Sequence, residues 1–281
     1  MDRHLDGLDH LIIGVRDLGA ARERYARLGF NTTPRGRHVG WGTANHCVMF
    51  EDDYLELLGI VDPAGFTNKL DRLLEEREGL LGIALGSRDA EGTHEAWARA
   101  GLAPAAPRDL GRLLEAGEGP LDLRFRNVML GTDATAGVSL FASEHLTPGL
   151  LRRPAWLAHP NGARRIRSCT IVADDPGPVA EAMARVFGSA AITATDNVVA
   201  AHTGRGVILV APPEDADLMH PAAAVPAAAP EPRLHVLTVE VADPARASSF
   251  LALQGVVFHR TSEGALVPPE QAHGVALELV G

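Results

Sequence analysis

Apolar and polar positions along this chain fall into a short pattern that returns four times. Apolar runs rich in β-branched residues come first, in the contexts LIIGVRD, GIALGSRD, SCTIVADD and LTVEVAD, and each reads as a strand. Each run ends at an Asp: Asp17, Asp89, Asp174 and Asp243. Beyond it, apolar residues recur at three- and four-residue steps, as at Ala21, Tyr25 and Leu28 or Val179, Met183 and Val186. That spacing gives a helix a single apolar stripe, and the Asp carboxylate can accept from the free N–H groups of its first turn. The helical stretches end in ARLGF, ARAGL, ARVFG and ALQGV, where glycine supplies the left-handed residue that stops a helix. Turn-rich sequence and short strands follow, the last of each set being 55–60, 138–142, 207–210 and 275–280. Three of these are opened by a shared GV-x-L at Gly137, Gly206 and Gly274. The unit is β-α-β-β-β, repeated four times, an α+β architecture.

A length of 281 residues allows two domains, each burying its own core. The expected division is 1–148 for modules one and two, a proline-bearing connection at 149–164, and 165–281 for modules three and four. The Ala- and Pro-rich segment 212–233 is expected to be extended and surface-exposed, because proline fixes φ and blocks helix propagation. A formal net charge of −10 argues against a nucleic-acid partner, which would be met by clustered Lys and Arg. The two cysteines, Cys47 and Cys169, form neither a C-x-x-C pair nor a disulfide framework and read as buried small apolar residues. No basic-then-apolar leader and no apolar run of about 18 residues is present, so the expectation is a cytoplasmic protein with no membrane partner. A homodimer is compatible with all of this.

The four modules resemble the vicinal-oxygen-chelate superfamily, which includes glyoxalases, epimerases and extradiol dioxygenases, and most closely its glyoxalase-like domain proteins. The resemblance rests on LDHLIIGVRDL at 8–18, RHVGWGTANH at 37–46, YLELLGI at 54–60, SEHLTP at 143–148, HPNGA at 159–163 and the closing PPEQAHGVALELVG. It implies four βαβββ modules paired into two cup-shaped domains, with metal ligands on the first and last strand of a module. Aligning the four Asp residues puts His10, Gly82, Arg167 and Val236 at the first-strand position. Aligning the final strands puts Glu56, Phe141, Val210 and Glu278 at the last-strand position. The resemblance therefore implies His10 and Glu56 as ligands of a divalent Fe, Mn, Ni or Zn ion, with Glu56 also a candidate base, and a degenerate second domain.

Other readings stand beside this one. A lone His on an apolar strand is often a hydrogen-bonded core residue, and a buried Glu56 needs a partner that is either a metal or a cation such as Arg35 or Arg37. His38, Trp41, His46, Phe141, His145 and His159 are candidate pocket residues, with Trp41 equally suited to core packing. His159 and Asn161 are placed to shape a pocket entrance, although Asn-Gly is first a turn signal. Two functions follow: a metalloenzyme of lyase, isomerase or ring-cleaving dioxygenase type acting on a small vicinal-oxygen substrate, or a metal-free protein that sequesters a small molecule in the cup.

Overall fold

The computed structural model describes residues 4–117 and 119–281. The first module consists of β1 (Leu5–Gly14), α1 (Leu18–Arg27), β2 (Gly36–His38), β3 (Thr43–Met49) and β4 (Tyr54–Ile60). A short helix, α2 (Leu70–Glu76), leads to the second: β5 (Gly79–Ser87), α3 (Ala90–Arg99), β6 (Arg108–Ala116), β7 (Gly119–Met129) and β8 (Leu140–His145). After a single helical turn, α4 (Pro154–Leu157), the third follows with β9 (Ala163–Val172), α5 (Gly177–Phe187), β10 (Ile192–Thr195), β11 (Val198–His202) and β12 (Val207–Ala211). Helix α6 (Pro213–Met219) precedes the fourth, made of β13 (Arg233–Val241), α7 (Pro244–Leu253), β14 (His259–Arg260), β15 (Gly264–Val267) and β16 (Ala276–Val280).

In every module the first and last strands pair in parallel, which the intervening helix makes topologically accessible. Modules then join in pairs through antiparallel first strands, β1 with β5 and β9 with β13. The first sheet closes into a barrel because β2 also pairs with β6. The second stays open, with β10 and β14 at its edges. The outward faces of both sheets share one apolar cluster, in which Leu11, Leu57 and Leu85 of the barrel and Ile171, Val210 and Leu237 of the open sheet pack with helix residues such as Tyr25, Trp97 and Met183.

Three of the four Asp residues cap helices as expected. Asp17 accepts from Ala20 N, Asp89 from Gly92 N, and Asp243 from both Ala245 N and Arg246 N. Gly29 ends α1 at φ +88, and Gly101, Gly188 and Gly255 also adopt positive φ. Asp174 departs from the pattern. Its carboxylate accepts from Ala229 N, while α5 begins after Pro176 and Asp175 accepts from Gly177 N.

That departure corrects the alignment of module three. Each last-strand position lies opposite the residue two beyond its first-strand partner: Glu56 opposite Ile12, Phe141 opposite Ala84, Glu278 opposite Thr238. Across the module seam, Ala84 faces His10 and Thr170 faces Val236. Thr170 in turn pairs with Leu209, so the module-three positions are Ser168 and Leu209. Arg167 and Val210 stand one residue away, which on a strand is the opposite face. Arg167 is exposed and donates to the carbonyl of Gly281, while Val210 is in the core.

The segment 212–233 is also not the exposed linker its composition suggests. Ala216 and Ala229 pack against Val172 and Ala211, and Ala223 packs against Val236, Leu266 and Ala276, all on the concave face of the open sheet. His220 enters the same concavity, with Nε2 2.9 Å from Thr170 Oγ1 and Nδ1 3.0 Å from Glu278 Oε1. The second cup is thus filled by the chain itself, through α6 and the small side chains that follow it.

Candidate functional site

Alternation along the barrel strands decides which side chains face the first cup. His10 and Ile12 of β1, Tyr54, Glu56 and Leu58 of β4, Arg112 of β6, Phe125 and Asn127 of β7, and Phe141 and Ser143 of β8 all line a cavity of about 190 Å³. Trp41 of the β2–β3 turn and Leu70 and Leu73 of α2 complete the lining.

Glu56 is the polar centre, buried at 5 % exposure. His10 Nε2 lies 3.5 Å from Oε2, His38 Nε2 lies 3.5 Å from Oε1, and Asn45 Nδ2 donates to Oε1. Each ring is held from behind. His10 Nδ1 is 2.6 Å from Asp9 Oδ2, and His38 Nδ1 is 2.9 Å from Thr43 Oγ1. Asp9 also receives His145 Nε2 at 3.0 Å. Burial acts to raise the Asp9 carboxyl, but the charge on His145 and the hydrogen bonds from both imidazoles overcome it and hold Asp9 well below the usual carboxylate range. Asp9 is therefore an acceptor, and a neutral His10 keeps its proton on Nδ1 and presents a bare Nε2 to the cup. Burial likewise raises Glu56, yet His38, His10 and the Arg112 charge bring it down to about 2. The His10 ring stacks on Tyr54 at 4.3 Å and meets the edge of Phe141 at 5.7 Å.

The structure brings together most, not all, of the residues expected at this site. His10, Glu56, His38, Trp41 and Phe141 line the cavity. His145 stands behind it, acting through Asp9. His46 points away, with Nδ1 2.9 Å from Thr33 O, and borders a separate depression with Glu115 and Trp156. His159 is no entrance residue. Its Nδ1 accepts from Asn31 N at 3.0 Å and its Nε2 is 2.9 Å from Met49 O, which fastens the inter-half connection to the barrel. Asn161 is buried beside it, donating to Leu28 O. Arg35 is not the partner of Glu56, since it pairs with Glu115 at 2.9 Å. Both cysteines are buried, and burial pushes the Cys47 thiol up to about 11 and that of Cys169 to about 12.

Asp9 and Arg112 escape a reading of the sequence for different reasons. Alternation puts Asp9 on the face opposite His10, but the β1–β5 register shifts between Leu8 and His10. A bulge of this kind re-aims a side chain, so two consecutive residues serve one site. Arg112 did leave a trace: it sits between Leu110 and Leu114 at two-residue spacing, and so faces inward with apolar neighbours.

Whether these residues suit a divalent ion turns on donor chemistry and spacing. Two imidazole nitrogens and a carboxylate form a donor set for a first-row divalent metal. With bonds of about 2.1 Å, two ligands of one tetrahedral ion stand roughly 3.4 Å apart, which the two 3.5 Å separations match. The set is incomplete as it stands: among the described residues no group of three or more His, Cys, Asp and Glu side chains is placed to hold a metal ion. Gly82 and Phe141, opposite in the cup, offer no donor.

A family model described as a glyoxalase-like domain matches residues 8–187. No curated protein matches the chain. Among solved structures, a hypothetical protein from Staphylococcus aureus superposes with a TM-score of 0.66 at 11% identity, over 97% of this chain and 98% of that one. A triple mutant of 4-hydroxymandelate synthase from Streptomyces coelicolor gives 0.63 at 13% identity, over 98% of this chain and 92% of that one. A xylose isomerase-like TIM barrel/4-hydroxyphenylpyruvate dioxygenase fusion protein gives 0.60 at 14% identity, over 98% of this chain and 48% of that one. At such identities the likeness is one of fold. With the paired βαβββ modules and the family match over most of its length, the chain belongs to the glyoxalase-like domain family of the vicinal-oxygen-chelate superfamily.

Proposed function

We propose that the closed cup is the active site of a metal-dependent enzyme acting on a small oxygenated substrate, with lyase or isomerase chemistry ahead of ring-cleaving dioxygenation. The observation that carries this reading is the approach of two imidazole Nε2 atoms to Glu56, each ring tied back through Nδ1. A carboxylate behind a His is the usual means of orienting a metal-binding imidazole. His10 and Glu56 would hold the ion, an Fe, Mn, Ni or Zn species, with His38 the nearest side chain to complete the set by a small shift. When bound, it supplies Lewis acidity toward adjacent substrate oxygens.

The chain's own groups do the rest. Glu56, held down by its imidazole neighbours and by Arg112, is an anion in the neutral range, as a metal ligand must be, and it is the carboxylate in the cup that could take up a proton if it left the ion. Asp9 keeps the His10 proton on the far side of the ring, and Tyr54 and Phe141 fix the ring plane. The cavity falls below the roughly 300–1,000 Å³ of drug-sized sites, so its occupant is small.

Metal-stripped protein titrated calorimetrically with Mn²⁺, Ni²⁺, Zn²⁺ and, without oxygen, Fe²⁺ tests the reading. One ion per chain is expected for at least one of these metals, with affinity falling at least tenfold in His10→Ala and in Glu56→Gln. No stoichiometric binding by the parent protein for any of the four overturns it. A second reading, a metal-free protein that sequesters a small ligand, is favoured by one observation: Gly82 and Phe141 place no metal donor at the second module's two ligand positions. It expects ligand binding by a parent protein that takes up none of these ions.

A further inference from the structure

The cup contains a buried positive charge that Glu56 feels but does not contact. Arg112 on β6 is 3 % exposed and lines the cavity. Its one hydrogen bond to another side chain is from Nη1 to Cys47 Sγ at 3.3 Å, a weak acceptor. Its Nε has no partner, and among the described residues no carboxylate lies within ion-pair distance. The guanidinium lies 5.2 Å from the ring centroid of Phe125. A guanidinium taken out of water normally has a carboxylate in register with its fork of donors. Here that partner is missing, and the space beside it is the cavity.

The chain makes room for this arrangement. A Cβ on Gly36 would stand 2.8 Å from Arg112 Cδ and 2.5 Å from Asn45 Oδ1, so glycine at that position is what lets the arginine lie across β2. Asn127 Oδ1, also on the cavity wall, has no partner either, so a second polar group awaits an occupant. Phe125, Phe141, Leu58 and Leu110 give the same cavity apolar wall.

We infer that the substrate of this cup is a small organic carboxylate with an apolar body, its carboxylate paired to Arg112 and its body lying along Phe125 and Phe141. The inference rests on the reading of the cup as a substrate site, and it makes Arg112 the residue that selects anions over neutral isosteres. A site built around an unpaired buried charge rejects the neutral analogue strongly, because binding it leaves the guanidinium desolvated and unpaired.

Benzoate and phenylacetate, compared with benzamide and phenylacetamide, probe this by calorimetry and ligand-observed NMR, with and without EDTA. The carboxylates are expected to bind at least tenfold more tightly than their amides in both conditions. Arg112→Met is expected to abolish that preference while keeping metal uptake, and His10→Ala to lose metal uptake while keeping the preference. Equal binding of acid and amide by the parent protein overturns the proposal, whatever the folding of any variant. So does an unchanged preference in a folded Arg112→Met protein. Loss of metal uptake alone in the parent protein counts against the metal reading and leaves the anion site standing.

Discussion

Asp53, in the turn between β3 and β4, offers a quantitative test of how the barrel is joined to the second half. It is 2 % exposed, and its Oδ1 accepts from Ile166 N of β9 at 3.0 Å. Burial pushes its carboxyl from 3.8 up to about 7, opposed by the Ile166 hydrogen bond and by Arg152, and reinforced by the negative charges of Asp9 and Asp52. The folded chain therefore holds this proton more tightly than the unfolded chain does. The sign follows: the contribution to stability is fully present below about pH 4, declines as the pH rises toward 7, and is lost above that. Three pH units at about 1.4 kcal/mol each set the ceiling near 4 kcal/mol. Asp53→Asn keeps the acceptor oxygen and cannot ionise. In urea unfolding from pH 4 to pH 8, the variant is expected to match the parent at the acid end and to exceed it by up to about 4 kcal/mol at pH 8. A stability difference that does not change with pH, or a variant less stable at pH 8, refutes the reasoning.

Gly36→Ala should push Arg112 and Asn45 aside, lowering benzoate affinity with a modest fall in Tm; an unchanged affinity would show that the arginine does not depend on this close approach. His220→Leu removes one of the two side chains that hydrogen-bond Glu278 in the filled second cup, leaving Thr238, and should cost about 1–3 kcal/mol in urea unfolding, with metal uptake by the barrel unaffected. Asp243→Ala deletes the acceptor for two N–H groups at the start of α7 and should cost about 1 kcal/mol, whereas Asp243→Asn should recover most of it.

Modular repetition was legible in the chain because strands, Asp caps and stop glycines are local devices. Asp17, Asp89 and Asp243 each act within three residues, so their spacing carried the architecture. His10 and Glu56 were singled out through the family resemblance, and the two-residue period of their strands turns both toward the first cup. That same period made module three misleading: where Pro176 delayed the helix, counting back from Asp174 put Arg167 one residue off, and aligning the final strands did the same to Val210, each on the wrong face. Only the closed structure decided the rest. His38 and Arg112 lie opposite each other because β2 pairs with β6, a contact between residues far apart in the chain that closes the barrel. Asp9 joined the site through a bulge, and the Ala- and Pro-rich segment found the second cup, whereas His46 and His159 were drawn to backbone carbonyls outside the first. Local hydrogen bonding and periodicity are written residue by residue. Which side chains meet across a cup depends on register between distant strands, and that is settled only when the sheet closes.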